Sequence, residues 1–332
     1  MLWISEPEVA EMVDLEDAIV AEEAMLVREA AGEARNMTKA LGQYGERNAM
    51  HALGSMAPAT GYVGFKTWNH TRHGAGTIFS LFDAERGTVL AVIEAAVLSQ
   101  LRTAAISGVA TRRMAREDAD TMALIGSGKQ ALLQVAAVAA VRPLKRLTVY
   151  SPTESRRRDF VARASEAFSF AVEEAPTIAD ATRDAGIVTV VTRAREPFFS
   201  GRDLAPGAHV NAVGAILRGF AEFHQDVFDR AEMVVVDNVA NVRAISAEFI
   251  EHYESGPGDW AQVRPLCEIV AAGHPRPDGI DISLFKALGM GIADLALATM
   301  IYQRARERGL GRDIPSMGKS KARWRSARPT NA

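Results

Sequence analysis

Two cations stand where cations are rare. Lys66 lies inside "YVGFKT" and Arg102 inside "VLSQLRTAA", segments that are otherwise largely apolar. An unpaired buried charge costs on the order of several kcal/mol, so each needs an anion. A substrate carboxylate would meet that need. A structural ion pair with an internal acid such as Glu94 or Asp83 is the alternative. A second candidate is "ALIGSGKQALLQ", where Gly126, Gly128 and Ala131 satisfy G-x-G-x-x-A between an apolar run and a helical pattern. The first glycine permits the tight turn, the second lets backbone approach a pyrophosphate, and Ala131 keeps helix close to strand. The helix start supplies free N–H groups and partial positive charge. A plain strand-to-helix turn is the competing reading.

The next strand bears on which dinucleotide this would be. An acid about 20 residues after the glycines usually grips a free ribose 2′-hydroxyl. Here that strand ends in "TVYSPTESRRR", with Ser151 at the position and Thr153, Ser155, Arg156, Arg157 and Arg158 following. With no carboxylate to repel a 2′-phosphate and guanidinium groups to bind one, NADPH is expected over NADH, with NAD(H) still possible. The alternative is a solvated helix face with Glu154 turned outward.

Other chemistry is thin. His51, His209, His224, His252 and His274 lack metal-ligand spacing, and Cys267 is the single cysteine, so no metal and no disulfide are expected. In "TWNHTRHGAG", Trp68, His70, Arg72 and His73 follow Lys66 closely. Arg72 with His73 would suit a second carboxylate, but a surface loop with ordinary polar residues is the reading favoured. The net charge of −3 offers no field for nucleic acid. Only the tail "GKSKARWRSARPTNA" is basic, which reads as a solvated end. The start lacks the basic and apolar blocks of a signal peptide, and no apolar run reaches bilayer length. A cytoplasmic protein without membrane contact is expected.

The elements that position these residues fall into two groups. Residues 5–31 read as helices, and residues 33 to 93 as short antiparallel strands between Gly, Asn and Asp turns. "AAVLSQLRTAAISGVATRRMA" is a helix of small residues. From residue 118, continuous apolar strands alternate with helices, the mark of a parallel sheet covered on both faces. "IADLALATMIYQRARERG" closes the chain as an amphipathic helix able to pack back on the first domain. The expected fold class is α/β: a Rossmann-type doubly wound parallel sheet over 118–295, with an α+β dimerisation and substrate domain from 1–117 and 296–332.

The ordered motifs "GFKTW", "GAGTIFSLFDAERGTVLAVIEAAVLSQLRTAAISGVA", "IGSGKQA", "GAHVNAVGA" and "LFKALGMGIADLALA" resemble the ornithine cyclodeaminase/mu-crystallin family, from about residue 5 to 312. The resemblance implies a homodimer built through the first domain, NAD(P) on the Rossmann domain and an active site between them. It implies that Arg35 and Lys66 hold a substrate α-carboxylate and that Arg102 lies near both substrate and nicotinamide. Thr77 is implied as a cofactor contact, with Ser127, Gly128, Lys129 and Gln130 as the pyrophosphate loop. Thr192, Asn211 and Val213 are implied to line the nicotinamide side, and Ala287 and Leu288 to stand beside cofactor and substrate.

One segment departs from that pattern. Cyclodeaminases carry an aspartate after the "NAVG" strand, where this chain has Ile216 in "GAILRGFAE". Isoleucine shuttles no protons, and general acid–base help is worth about 10²–10⁴-fold. Mu-crystallin-type ketimine reductases also depart there. Hydride delivery to a protonated C=N needs mainly positioning, with Lys66 or a water giving any proton. The expected function is therefore reduction of small α-imino acids, or the corresponding amino-acid dehydrogenation. A deaminating cyclodeaminase and a non-catalytic, crystallin-like NADPH binder are the alternatives.

Overall fold

The computed structural model describes residues 1–46, 48–273, 276–315, 318 and 320–322. His274 and most of the basic tail, Arg323 to Ala332 with Lys319, lie outside the described residues.

The first domain is an eight-stranded sheet. Its strands are β1 (Leu2–Ile4), β2 (Arg35–Asn36), β3 (Ala40–Tyr44), β4 (Asn48–Ala57), β5 (Tyr62–Thr71), β6 (Gly74–Asp83) and β7 (Val89–Glu94). A last short strand near the C-terminus, β16 (Arg312–Asp313), completes it. β4 to β7 form the expected antiparallel meander. β1, unforeseen in the sequence, pairs parallel to β7 and antiparallel to β16. Helices α1 (Glu6–Met12) and α2 (Leu15–Ala30) follow β1, each opened by a capping box, from Ser5 to Glu8 and from Asp14 to Asp17.

Helix α3 (Ala96–Met114) leads into the second sheet, all of whose neighbours are parallel. This sheet holds β8 (Thr121–Ile125), β9 (Arg146–Tyr150), β10 (Ala171–Glu174), β11 (Ile187–Val190), β12 (His209–Ala212), β13 (Ala231–Val236), β14 (Val263–Pro265) and β15 (Ile282–Lys286). Their order is β10-β9-β8-β11-β12-β15-β13-β14. The direction of winding reverses beside β8, which places a ligand crevice at the carboxyl ends of β8 and β11. β11, β12 and β15 are buried at every residue, as expected of strands covered on both faces. Helices α4 (Ala131–Ala139), α5 (Glu154–Ala167), α6 (Ile178–Thr182), α7 (Val239–Ile245), α8 (Ala247–Tyr253) and α9 (Leu266–Ala272) belong to this domain. Cys267 is a buried residue of α9 and joins the core.

The final helix, α10 (Gly291–Arg308), returns to pack on α2, α3 and strands β4, β5 and β6. It begins at Gly291, five residues before position 296. Its approach is close: a Cβ on Gly291 would lie 2.5 Å from the Gly54 carbonyl oxygen. Asn36 Oδ1 accepts from Ile292 N at 3.0 Å, and Ser55 Oγ donates to Gly291 O at 2.9 Å. The first turn of α10 is thereby fixed against β2 and β4.

Candidate active site

Lys66 is 2% exposed on β5, opposite Leu53 on β4 and Phe79 on β6. Its Nζ donates to Asp294 Oδ1 at 2.6 Å. Arg102, on α3, brings Nε to 3.1 Å from the same oxygen, in a Coulombic contact not aligned as a hydrogen bond. Asp294 is fully buried and its Oδ2 has no partner in the protein. Two cations therefore share one carboxylate, an excess of one positive charge within this trio, while the buried Asp237 and Glu22 also act on Arg102. Burial, then the neighbouring Arg102, brings the Lys66 ammonium down to about 8, against the opposing pull of Asp294.

The acids weighed from sequence as internal partners are occupied elsewhere. Glu94 accepts from Trp3 Nε1 and Glu6 N, and Asp83 from the Glu85 and Arg86 amides of a turn. Asp294 was missed because "IADLALA" reads as an ordinary amphipathic helix, in which an acid marks the solvent face.

Arg102 also reaches the second domain. A Cβ on Gly289 would sit 3.0 Å from Arg102 Nη1. Gly289 belongs to the turn after β15, where Asp237 Oδ2 accepts from Leu288 N at 2.8 Å and Gly289 N at 2.6 Å. Asp237 is itself buried at the carboxyl end of β13, and burial lifts its carboxyl to about 6. Arg102 thus lies at the carboxyl edge of the parallel sheet, beside Leu288. One residue on, the Thr103 carbonyl accepts from Gln134 of α4, the helix that follows the glycine loop.

That loop has the expected form. Gly126 takes φ +112°, and a Cβ there would lie 2.6 Å from the Val191 carbonyl, so glycine is required. A Cβ on Gly128 would meet nothing within 4 Å, which leaves its backbone facing open space ahead of α4. Gly128 and Lys129 are exposed, and the buried Gln130 Oε1 has no partner. Ser127 Oγ lies 3.1 Å from Ser151 Oγ, which joins the loop to the end of β9. These groups fit a dinucleotide pyrophosphate.

The arginines after β9 divide. Arg157 donates to Ser151 O at 2.9 Å and pairs with Glu174 at 3.1 Å. Arg158 pairs with Glu154 and Glu174. Arg156 is exposed with no carboxylate partner among the described residues, close after Thr153, the residue preceding α5.

Other positions need correction. Arg35 pairs in register with Met56, three residues from the Leu53 that faces Lys66, so it projects from the opposite face of the sheet. Its guanidinium lies exposed beside Met56 Sδ. The additional cation on the Lys66 face is Lys39, whose Nζ lies 5.6 Å from the Trp68 ring centre, with Lys66 Nζ at 5.0 Å from that ring. Burial, then Arg102, lowers the Lys39 ammonium. Trp68 stacks on His51 at 4.5 Å, and Thr77 stands directly opposite Trp68 on β6.

Asn211 does not line a crevice. It is fully buried, donating to Thr111 Oγ1 at 3.0 Å and engaging His209 Nε2 through Oδ1 at 3.1 Å. Val213, Ala287 and Leu288 are buried immediately beyond the carboxyl ends of β12 and β15. Thr192, half-buried beyond β11, donates through N and Oγ1 to Glu222 Oε1. Ile216 is 41% exposed on the loop after β12. Arg72 and His73 bond each other at the exposed tip of the β5–β6 hairpin, about 20 Å along the strand from Lys66. They belong to the surface. Among the described residues, no cluster of His, Cys, Asp or Glu has the arrangement of a metal site.

The chain can now be set beside known proteins. The model of the ornithine cyclodeaminase/mu-crystallin family matches residues 3–309. A Delta(1)-pyrroline-2-carboxylate reductase of Bacillus cereus is 30% identical over 271 residues, 80% of this chain and 81% of that protein. The iminosuccinate reductase of Paracoccus denitrificans is 27% identical, over 95% of this chain and 99% of its own. The Thermococcus litoralis Delta(1)-pyrroline-2-carboxylate reductase, solved with NADH and L-proline, superposes with a TM-score of 0.89 at 26% identity. That match covers 95% of this chain and all of the other. Parallel sheet, glycine loop, paired cations and the length of these matches agree: the chain belongs to the ornithine cyclodeaminase/mu-crystallin family.

Proposed function

We propose that Lys66, Arg102 and Lys39 seat the carboxylate of a small α-imino acid, so that its C=N carbon faces a nicotinamide ring over the carboxyl ends of β11 and β12. The chain is an NAD(P)-dependent oxidoreductase acting on C=N or CH–NH groups, a reductase of small α-imino acids. The observation that carries the reading is the excess positive charge of the Lys66–Asp294–Arg102 cluster beside Gly289. A buried site with cation to spare favours an anion.

A bound nicotinamide cofactor would supply the hydride. Asp294 holds both cations in place without cancelling them. Lys66, brought down to about 8, is suited to giving a proton to the imine nitrogen near neutral pH. Ile216 leaves its stretch of the loop after β12 without a proton-transferring side chain, which disfavours deamination. A purely binding role gives the Lys66–Arg102 cluster no task at the dinucleotide edge.

For the cofactor, NADP(H) is preferred in this reading. Support comes from Ser151 in place of an acid and from the unpaired Arg156. The protein works as a homodimer through its first domain, where Leu41, Tyr44, Met50 and Ile78 leave large apolar surface exposed. Light scattering of the purified protein tests this, and a monomer would refute it. Among the described residues, no helix is long and apolar enough to cross a membrane; the reading places the enzyme in the cytoplasm.

The experiment is an assay of NADPH and NADH oxidation with a cyclic ketimine acid, an acyclic 2-oxo acid plus amine, and an iminodicarboxylate. Turnover of at least one is expected. Tight cofactor binding without turnover across the panel would sink the assignment.

A further inference from the structure

Glu222 is a fully buried carboxylate that the chemistry above does not use. It lies beneath two loops that leave adjacent parallel strands. Oε1 accepts from Thr192 N at 2.7 Å and Thr192 Oγ1 at 2.8 Å, in the segment after β11. Oε2 accepts from Gly214 N and Ala215 N, both at 2.9 Å, in the segment after β12. One carboxylate thus takes four donors and fastens the two loops together. The fit is tight: a Cβ on Gly214 would lie 2.2 Å from Thr192 N and 2.3 Å from Glu222 Oε1.

Glu222 is held in turn. Its own amide donates to Glu248 Oε1 at 3.0 Å, and Ser246 Oγ donates to Glu248 Oε2 at 2.8 Å. Lys286 Nζ lies 3.4 Å from Glu248 Oε1 and is fully buried on β15, the other neighbour of β12.

The location gives this clamp its meaning. In a doubly wound sheet the pyrophosphate sits at the β8 loop and the adenosine half on the β9 side. The nicotinamide half then falls on the β11 and β12 side, over the loops Glu222 joins. Loops already fixed in the bound arrangement spare the ordering cost of binding.

We propose that Glu222 is a positioning residue for the nicotinamide half of the cofactor, its carboxylate locking Thr192 to Gly214 and Ala215 as a preformed floor. This rests on the cofactor reading above.

The test compares intact cofactor with the same molecule lacking nicotinamide riboside: NADPH against 2′-phospho-ADP, and NADH against ADP. Binding is followed by calorimetry or fluorescence. In Glu222→Gln an amide N–H₂ must face at least one of the backbone donors, so affinity for the intact cofactor should fall about tenfold or more. Affinity for the truncated molecules should stay within about twofold, because their sites lie on β8 and β9. Thr192→Val removes the hydroxyl bond to Glu222 and the one the hydroxyl accepts from Ala194 N, and should cost about threefold or more, again only with intact cofactor.

Unchanged binding of intact cofactor in both variants overturns the proposal, as does equal weakening of intact and truncated ligands. Should Glu222→Gln fail to fold, Thr192→Val decides by the same criterion. Wild-type protein that binds neither NADPH nor NADH would instead refute the cofactor reading itself, a result visible before any variant is made.

Discussion

The molecule buries two charge clusters, and they are finished differently. At the Lys66–Asp294–Arg102 cluster, cations outnumber acids, Asp294 Oδ2 has no partner and Arg102 Nε is poorly aligned. At the Glu222–Glu248–Lys286 cluster, acids outnumber cations, yet every carboxylate oxygen is bonded. The first has bonding capacity left over among the described residues, and in the proposed reading an incoming anion would engage its cations. The second is saturated and serves as scaffold. Unsatisfied polar atoms are costly in a finished core, so where they remain they point to a ligand.

The contrast breaks if the two lysines respond alike to substitution. Lys66→Met leaves Asp294 only its Coulombic contact with Arg102, so some stability should be lost, but activity should be hit hardest. The kcat/KM for the imino acid should fall about 10²–10⁴-fold, as for other lost general acids. Steady-state kinetics alongside chemical denaturation would check both halves. Lys286→Met should behave oppositely, destabilising the fold by about 3–5 kcal/mol because Glu248 loses, in a buried setting, the one cation paired with it among the described residues. An unfolding midpoint equal to wild type would erase the distinction.

Two smaller effects sharpen it. Lys66 is protonated below about 8 and neutral above, so the carboxylate loses a cation as pH rises. The kcat/KM should therefore decline above about pH 8, by up to about tenfold per unit, while cofactor affinity stays flat. In Asp294→Asn the inflection should move to lower pH, since Asp294 is what holds the ammonium up. The smallest effect concerns selectivity. Arg156→Ala should cost NADPH about tenfold in kcat/KM and leave NADH unchanged, whereas Arg158→Ala, already paired with Glu154 and Glu174, should change neither.

Much of this was legible in the chain. The continuous apolar strands, the glycine loop and the cations stranded in "YVGFKT" and "VLSQLRTAA" each carry a local signal, and each stands where that signal put it. What could not be read was partnership. Asp294 meets Lys66 across 228 residues, and no local pattern separates it from a solvent-facing acid. Arg35 and Lys39 illustrate a sharper difficulty. Their even spacing would put both on one face of a continuous strand. The strand is interrupted between β2 and β3, however, and Lys39 lies in that interruption, so no strand period could show which cation reaches the Lys66 face. Asn211 failed for a related reason. A polar residue in a buried strand signals either a crevice or an internal bond, and here Thr111 and His209 satisfy it. Strand β1 was too short to show a period.

The route of the chain has a consequence for its synthesis. Helix α10 follows β15, the last strand of the parallel sheet in the chain, and packs on the first sheet. A ribosome therefore delivers Lys66 and Arg102 long before the acid that makes their burial tolerable. Until α10 emerges, the early half must leave those ammonium and guanidinium groups hydrated. Its last layer closes only once the parallel sheet has been made.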